Sequence, residues 1–422
     1  MKNKKINLKK SKITQSIKEQ TKKLKLEKNK FNALELILIF IMALLFGIVL
    51  GELIFSGGNT TANTMTKTHN SNIEEIEKVY NTLIEEYKNK VDERVLKEAA
   101  IKGMMEQLGD NYSIYYDEES SEALKEELTG EFYGMGAEIY RDENGSVKIN
   151  RVFEGSPAEK AGLKKGDEYL KINGEDISEK TTSQIAELIK GKDKKIFTIT
   201  IKRDGKEINT KVTTAKVEIP TVESEIIEKE NQKIGYIKIT LFASNTDEQF
   251  EKQLAKLNKK GITKLIIDVR DNIGGELETV VNIASNFLKK DDVIIQRVSK
   301  TKTTKMYSTK NNEKKYDVVV LINEGSASGS EVLAATLNEN YKADLIGITT
   351  FGKGTVQKTQ TLTSGSIIKY TIETWKTGKG KEIDGKGVKP TIKVKQSEEY
   401  YKTYDKKDDE QYKKAIEVIL KK

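Results

Sequence analysis

The most restrictive feature of the sequence is a segment near its end in which two apolar runs flank a small-residue turn. The first run, 318–322, leads into Gly-Ser-Ala-Ser at 325–328, and helically spaced apolar residues follow. The second run, 345–348, leads into Lys353, which has a glycine on each side. Short uninterrupted apolar runs are typical of strands that are buried on both faces of a parallel sheet. The segment therefore predicts an α/β fold with serine hydroxyls at a strand-to-helix turn.

The composition restricts the chemistry that such a hydroxyl can perform. The chain has no cysteine and one histidine, His69, which lies far upstream. This disfavours a Ser-His-Asp triad and excludes a cysteine nucleophile and a His/Cys metal site. A desolvated lysine can serve as the base, because burial favours its neutral amine. Lys353 is the candidate; the alternative is a simple tight turn with Lys353 as a solvated loop charge.

Both motifs resemble those of the carboxyl-terminal processing, or tail-specific, serine proteases. The resemblance lies in Asn-Glu-Gly-Ser-Ala-Ser at 323–328 and in Phe-Gly-Lys-Gly-Thr-Val-Gln at 351–357. It implies that Ser328 is the nucleophile, that Lys353 is the general base and that Gln357 orients this lysine. A further segment, 109–116, resembles the family's Asp-Pro-Tyr-Ser motif, with asparagine in place of proline.

The resemblance also implies an oxyanion hole made of backbone amides. One amide belongs to Gly329, which replaces the alanine that the family usually has after the nucleophile. The other belongs to Gly274 or Gly275, and Ile273 in place of the family's proline leaves this choice open. A phosphate site at the two glycines is an alternative, but no Walker lysine follows them. The neighbouring charged residues form either a catalytic cluster or an ion pair that fixes the turn: Asp268, Arg270 and Asp271.

The beginning of the chain predicts a membrane anchor, in the order basic tail (1–32), transmembrane helix (33–55) and stalk (56–71). Residues 1–30 contain 12 lysines and two glutamates, so the net charge of +8 resides in this tail and does not indicate a nucleic-acid partner. About 20 apolar residues span a bilayer core, and lysines before them favour a cytoplasmic N-terminus. We expect a single-pass protein of a bacterial cell membrane with its catalytic part outside; a cleaved signal peptide is the alternative.

Residues 72–128 predict two amphipathic helices, which either pack on the next domain or form a homodimerisation arm, as the family resemblance implies. Residues 130–215 contain Phe-Tyr-Gly-Met-Gly-Ala at 132–137, Glu-Gly-Ser-Pro-Ala at 154–158 and Ile-Asn-Gly at 172–174. In this order the motifs resemble those of a PDZ domain, a β-rich fold with two helices. Its loop amides would bind the terminal carboxylate of a protein substrate, and the following strand would pair with the apolar tail. The predicted tail-binding residues are Gly134, Met135, Gly136, Ala137, Ile185 and Ile189. The alternative is a PDZ-like fold with an idle groove.

The rest of the chain completes the predicted α/β fold. The family resemblance implies that residues 216–395 form a Ser-Lys protease core, and the charged helical segment 396–422 is expected to dock peripherally. The resemblance implies an endopeptidase that cleaves proteins near their C-termini and needs no metal or other cofactor. Two other functional classes remain open: a membrane-tethered PDZ adaptor with an inactive core, and an anchored assembly protein whose helices oligomerise.

Overall fold

The computed structural model describes residues 62–191, 193–312 and 316–422. The predicted tail and transmembrane helix lie outside these ranges. Within them, no helix combines the length and the hydropathy needed to cross a bilayer. The chain divides into two compact units, residues 1–97 and 98–422.

The described part of the first unit is mainly helical. Helix α1 (Ala62–Glu86) is followed by α2 (Glu93–Glu106), whose first residues belong to this unit. Helix α1 begins inside the predicted stalk, since a helix nucleated by an apolar stripe extends easily into neighbouring residues. Ile73, Ile76 and Val79 on α1 are exposed. Self-association through the N-terminal helices stays a prediction.

The second unit begins with a short strand, a helix and the predicted PDZ region. The elements in chain order are β1 (Ile114–Tyr116), α3 (Glu118–Thr129), β2 (Glu131–Gly134), β3 (Ala137–Arg141), β4 (Val147–Val152), α4 (Pro157–Lys160), β5 (Glu168–Ile172), β6 (Glu175–Asp176), α5 (Thr182–Ile189), β7 (Ile196–Arg203), β8 (Lys206–Thr213) and β9 (Ala215–Glu218). One sheet has the order β3-β4-β5-β7-β8 with β6 beside β5, and β2 pairs with β9. Strand β3 is therefore an edge strand.

The predicted protease core follows. Its elements are β10 (Val222–Lys229), β11 (Gln232–Ile239), α6 (Thr246–Lys259), β12 (Lys264–Asp268), α7 (Leu277–Ser285), β13 (Val293–Val298), β14 (Thr303–Tyr307), β15 (Asp317–Ile322), α8 (Gly329–Thr336), a π-helical turn (Leu337–Tyr341), β16 (Asp344–Gly347), β17 (Thr355–Thr361), β18 (Ile367–Thr377), β19 (Ile392–Lys393), α9 (Glu398–Thr403), a 3-10 turn (Lys406–Asp408) and α10 (Glu410–Leu420).

A six-stranded sheet, β10-β11-β12-β15-β16-β19, forms the centre of this core and is parallel except for β10. Both faces are covered, which explains the uninterrupted apolar strands. Leu265 and Ile267 of β12 pack on one side, and Ile266 packs on the other. The first side also buries residues from α6, α7 and α8: Phe250, Leu254, Val280, Ile283, Val332 and Leu333.

The prediction that segment 396–422 docks peripherally was wrong. Ala415 and Ile419 of α10 are fully buried with the second face of the sheet, because a charged helix needs only one apolar stripe to form a layer. Arg270 binds Asp268 at 2.7 Å and Asp409 at 2.8 Å, and all three side chains are buried. These bonds support the ion-pair interpretation of this turn and connect it to the C-terminal segment.

A second sheet joins a strand near the beginning of this unit to strands of the core. Its order is β1-β18-β13-β14, and β17 pairs with β18. Strand β1 lies within the predicted helical region 72–128, yet it pairs antiparallel with β18 of the core, Tyr115 opposite Ile368. This pairing fixes the segment just before β1 against the strand pair that follows Lys353.

Candidate active site

Ser328 lies between the end of β15 and the start of α8. Its φ of 51° and ψ of −110° are unusual for a residue other than glycine, and such strain is common at functional sites. The two neighbouring serines are fully buried and hold the turn. Ser326 Oγ donates to the Val269 carbonyl at 2.8 Å, and Ser330 Oγ donates to the Asn272 carbonyl at 2.7 Å. Ser328 alone of the three is partly exposed.

Two backbone amides beside Ser328 are available to a ligand. The N–H groups of Gly329 and Gly275 have no acceptor within the described part of the chain. By contrast, the N–H of Gly274 donates to Asn272 Oδ1 at 2.9 Å. A Cβ atom on Gly274 would lie 2.8 Å from Ser328 Cβ, so a side chain here would push against the serine. Gly274 therefore permits the close packing, and Gly275 has the free donor.

One cavity, with a volume of about 390 Å³, is lined by Lys353 together with Ser328, Gly329 and Gly275. Trp375 Nε1 donates to the Lys353 carbonyl at 2.9 Å and fixes its backbone. Burial lowers the pKa of the Lys353 ammonium and nearby Lys369 lowers it further, while Asp110 and Glu331 oppose this shift. The amine is therefore easier to deprotonate than that of an exposed lysine.

Gln357 lines the cavity but does not bind the amine of Lys353. Its side-chain Nε2 donates to Thr355 Oγ1 at 2.9 Å and to Thr371 Oγ1 at 3.2 Å. Among the described residues, Lys353 Nζ makes no hydrogen bond to Gln357 or to Ser328; it lies 4.8 Å from the centroid of the Tyr112 ring. The structure brings the three predicted catalytic residues into one cavity without joining them directly.

The buried carboxylate of Glu331 connects the serine turn with the lysine loop. It has no exposed surface and accepts hydrogen bonds from both segments. The donors are Ser328 N at 2.8 Å, Thr350 Oγ1 at 2.5 Å, Gly352 N at 2.8 Å and Lys353 N at 2.9 Å. Sequence analysis missed this residue, although a glutamate in the first turn of α8 was a visible signal.

Replacing Glu331 by alanine is expected to lower the free energy of unfolding of the core by at least about 3 kcal/mol, since it leaves several buried donors unpaired. Trp375, the only tryptophan, lies in the core beside Lys353, so its fluorescence during denaturant unfolding measures this change. Glu417→Ala is the control, because the salt bridges of Glu417 in the described part of the chain are with Lys414 and Lys421 at the protein surface. Equal stability of both variants would contradict the connecting role of Glu331.

Helix α3 contributes to the walls of two cavities. Leu124, Glu127 and Leu128 line the catalytic cavity. Glu126, on another face of the helix, lines the groove beside β3 and α5 and binds Lys190 at the end of α5, at 2.7 Å. Because α3 is a single helix, a movement of α3 would alter both cavities.

The groove beside β3 and α5 has a volume of about 250 Å³ and includes the whole predicted loop 134–137. The N–H groups of Met135 and Gly136 have no acceptor within the described ranges, so they are available to a carboxylate. Ile189 lines this groove, but Ile185 has no exposed surface and packs in the interior of the region. Other apolar groove residues are Phe132, Ile139, Tyr169 and Ala186.

Three family models match the chain. Residues 233–394 match peptidase family S41, residues 55–120 match the N-terminal domain of the activating protease CtpB, and residues 148–203 match the PDZ domain. The first match contains the serine turn and the lysine loop.

Relatives of known family extend this similarity over most of the chain. The carboxy-terminal processing protease CtpB of Bacillus subtilis (strain 168) is 40% identical over 327 residues, covering 77% of this chain and 68% of that protein. A CtpA-like serine protease of Staphylococcus aureus (strain COL) is 35% identical over 340 residues, covering 80% of this chain and 67% of that protein. A solved S41 protease structure from Bacteroides fragilis shares the fold, with a TM-score of 0.50 and 19% identity. The match covers 76% of this chain and 90% of that chain. The chain therefore belongs to peptidase family S41, as a carboxy-terminal processing serine protease with a PDZ domain.

Proposed function

We propose that the protein is a membrane-anchored endopeptidase that uses a Ser328–Lys353 dyad to cleave proteins near their C-termini. The observation that carries this proposal is the strained Ser328, which shares one cavity with the half-buried Lys353 and the free N–H groups of Gly329 and Gly275. A nucleophile, a base of lowered pKa and two donors for an oxyanion are the parts that acyl transfer requires.

The proposed reaction uses these groups in two stages, acylation and hydrolysis. Lys353 removes the proton from the Ser328 hydroxyl as its oxygen attacks the substrate carbonyl carbon. The N–H groups of Gly329 and Gly275 stabilise the negative oxygen of the tetrahedral intermediate. The ammonium then gives its proton to the leaving amine, the peptide bond breaks and an acyl-enzyme remains. Lys353 next deprotonates a water molecule, which attacks the ester, and the proton returns to Ser328 as the carboxylic acid leaves.

The groove beside β3 supports recognition of a substrate's C-terminal tail. The free N–H groups of Met135 and Gly136 can bind the terminal carboxylate, and the edge of β3 can pair with the tail backbone. The groove's apolar lining suits a tail with apolar side chains.

Amidating the C-terminus of an apolar tail peptide is expected to weaken its binding to the full chain by about tenfold or more, since charge-assisted hydrogen bonds are lost. Gly136→Ala is expected to have the same effect on the free-acid peptide, because Gly136 has a φ of 78° and its Cβ would lie 2.4 Å from Ser156 Cβ. Gly145→Ala is the control, because Gly145 has a similar φ of 82° but an added Cβ would have no atom within 4 Å. Fluorescence anisotropy measures both; equal affinity of acid and amide would refute carboxylate recognition.

Membrane anchoring through residues 33–55 is supported by the apolar run and the lysines before it. Protease added to intact cells without a wall is expected to remove an epitope tag at Lys422 but to spare one at Met1. A protected tag at Lys422 would contradict the external position of the catalytic part.

A further inference from the structure

The segment 109–113 lies beside the proposed base, although it is distant from it in sequence. Lys353 Nζ lies over the face of the Tyr112 ring, 4.8 Å from the ring centroid. An ammonium over an aromatic face is attracted by the negative charge of the π system. The contact therefore favours the protonated lysine at this position.

Hydrogen bonds fix this segment to the wall of the catalytic cavity. Asp110 accepts from Tyr112 N at 3.0 Å and from Ser113 Oγ at 2.6 Å. Ser113 Oγ in turn accepts from the backbone N–H of Thr371 in β18, at 3.1 Å. The hydroxyl of Thr371 accepts from Gln357, so the same strand residue holds both the Asp110 turn and Gln357.

Asp110 is charged and acts on the lysine through space. Burial alone would raise the pKa of the Asp110 carboxyl, but hydrogen bonds from Ser113, Thr371 and Tyr112 and the charge of Lys353 lower it. Two other charged groups act on Lys353: Lys369 on β18 lowers the pKa of its ammonium, and Glu331 on α8 raises it. Burial raises the pKa of the Tyr112 hydroxyl, and the charges of Asp384, Asp110 and Glu331 raise it further.

We propose that Tyr112 and Asp110 are positioning residues for Lys353, holding its side chain and stabilising the ammonium that forms while Ser328 attacks. The chemistry parallels that of a triad aspartate, which orients its histidine and stabilises the imidazolium. This inference rests on the proposed role of Lys353 as the general base. It gives segment 109–113 a function in catalysis.

The test is the pH profile of kcat/KM for the full chain. Asp110→Asn keeps the size of the side chain but removes its charge, so the ammonium loses a stabilising partner. We expect the activity limb to move to lower pH and the plateau of kcat/KM to fall by about tenfold. Tyr112→Leu is expected to do the same, whereas Tyr112→Phe keeps the ring face and the wild-type profile.

Asp142→Asn is the matched control. Asp142 also accepts backbone hydrogen bonds within a turn, from Asn144 and Ser146, and pairs with Lys148 at 2.6 Å, but it lies in the PDZ region. This variant is expected to keep the profile unchanged. A plateau that falls in Asp110→Asn and Tyr112→Leu without any movement of the limb would overturn the inference, as would a loss in Tyr112→Phe equal to that in Tyr112→Leu. Activity in Lys353→Met would instead overturn the proposed base.

Discussion

Replacing Ser328 by alanine is expected to lower kcat by at least about 10⁴-fold, because the attacking oxygen is removed and no other partly exposed serine lies in the turn. The fold is expected to remain, since the Ser328 backbone N–H still donates to Glu331 in the variant. Cleavage of a tail-bearing protein substrate, followed by gel electrophoresis and by the mass of the product, measures the loss.

The neighbouring serines provide the controls for this result. Ser326→Ala and Ser330→Ala remove buried hydroxyls that donate to the Val269 and Asn272 carbonyls, so they are expected to lower stability by about 1–3 kcal/mol. Most of the activity is expected to survive in both at a temperature where they are folded. An inactive Ser326→Ala beside an active Ser328→Ala would show that the nucleophile is assigned incorrectly.

Replacing Lys353 by arginine is expected to abolish activity although the positive charge is kept, because a guanidinium stays protonated at any usable pH. In the wild type, burial and Lys369 lower the pKa of the ammonium from its ordinary 10.5. In the proposed reaction the neutral amine is the active form, so kcat/KM is expected to rise with pH as the proton leaves, on a limb below 10.5. A loss of about 10³-fold or more in Lys353→Arg is expected at every pH.

Two variants show that this limb belongs to the lysine. His69→Ala removes the only imidazole of the chain. Glu276→Gln removes a carboxyl that lines the cavity and whose pKa is raised by burial and by Glu278. The limb is expected to persist in both. Its disappearance in either variant, or appreciable turnover by Lys353→Arg, would mean that another group accepts the proton.

The parts of the site that could be predicted from sequence are those with a local pattern. The apolar runs around the serine turn identified β15 and β16, because the interior of a strand covered on both faces favours apolar residues at consecutive positions. The glycine-rich turns near residues 274 and 134 are also local patterns, and they indicated backbone N–H groups free to bind a ligand. The sequence could not show which of Gly274 and Gly275 has a free N–H group, because this depends on the side chain of Asn272, which accepts from Gly274.

The parts that could not be predicted depend on several segments at once. In the sequence, Glu331 is an ordinary glutamate at the start of a helix. Only the folded chain brings four donors from two segments to its carboxylate. Tyr112 reaches Lys353 only because β1 pairs with β18, and nothing in either strand specifies that partner. Ile185 and Ile189 share one helical stripe, and helical spacing alone does not separate the buried residue from the groove residue.

Helix α3 has one consequence for the design of inhibitors. Because α3 lines both the catalytic cavity and the groove beside β3, ligands of the two sites share a wall. Thermodynamic linkage requires any coupling between two sites to be reciprocal. If an uncleavable tail in the groove changes the affinity of the protein for an active-site compound, the compound must change the affinity for the tail by the same factor. If the two sites are coupled through α3, a compound made for the serine would also change the affinity of the groove for tails.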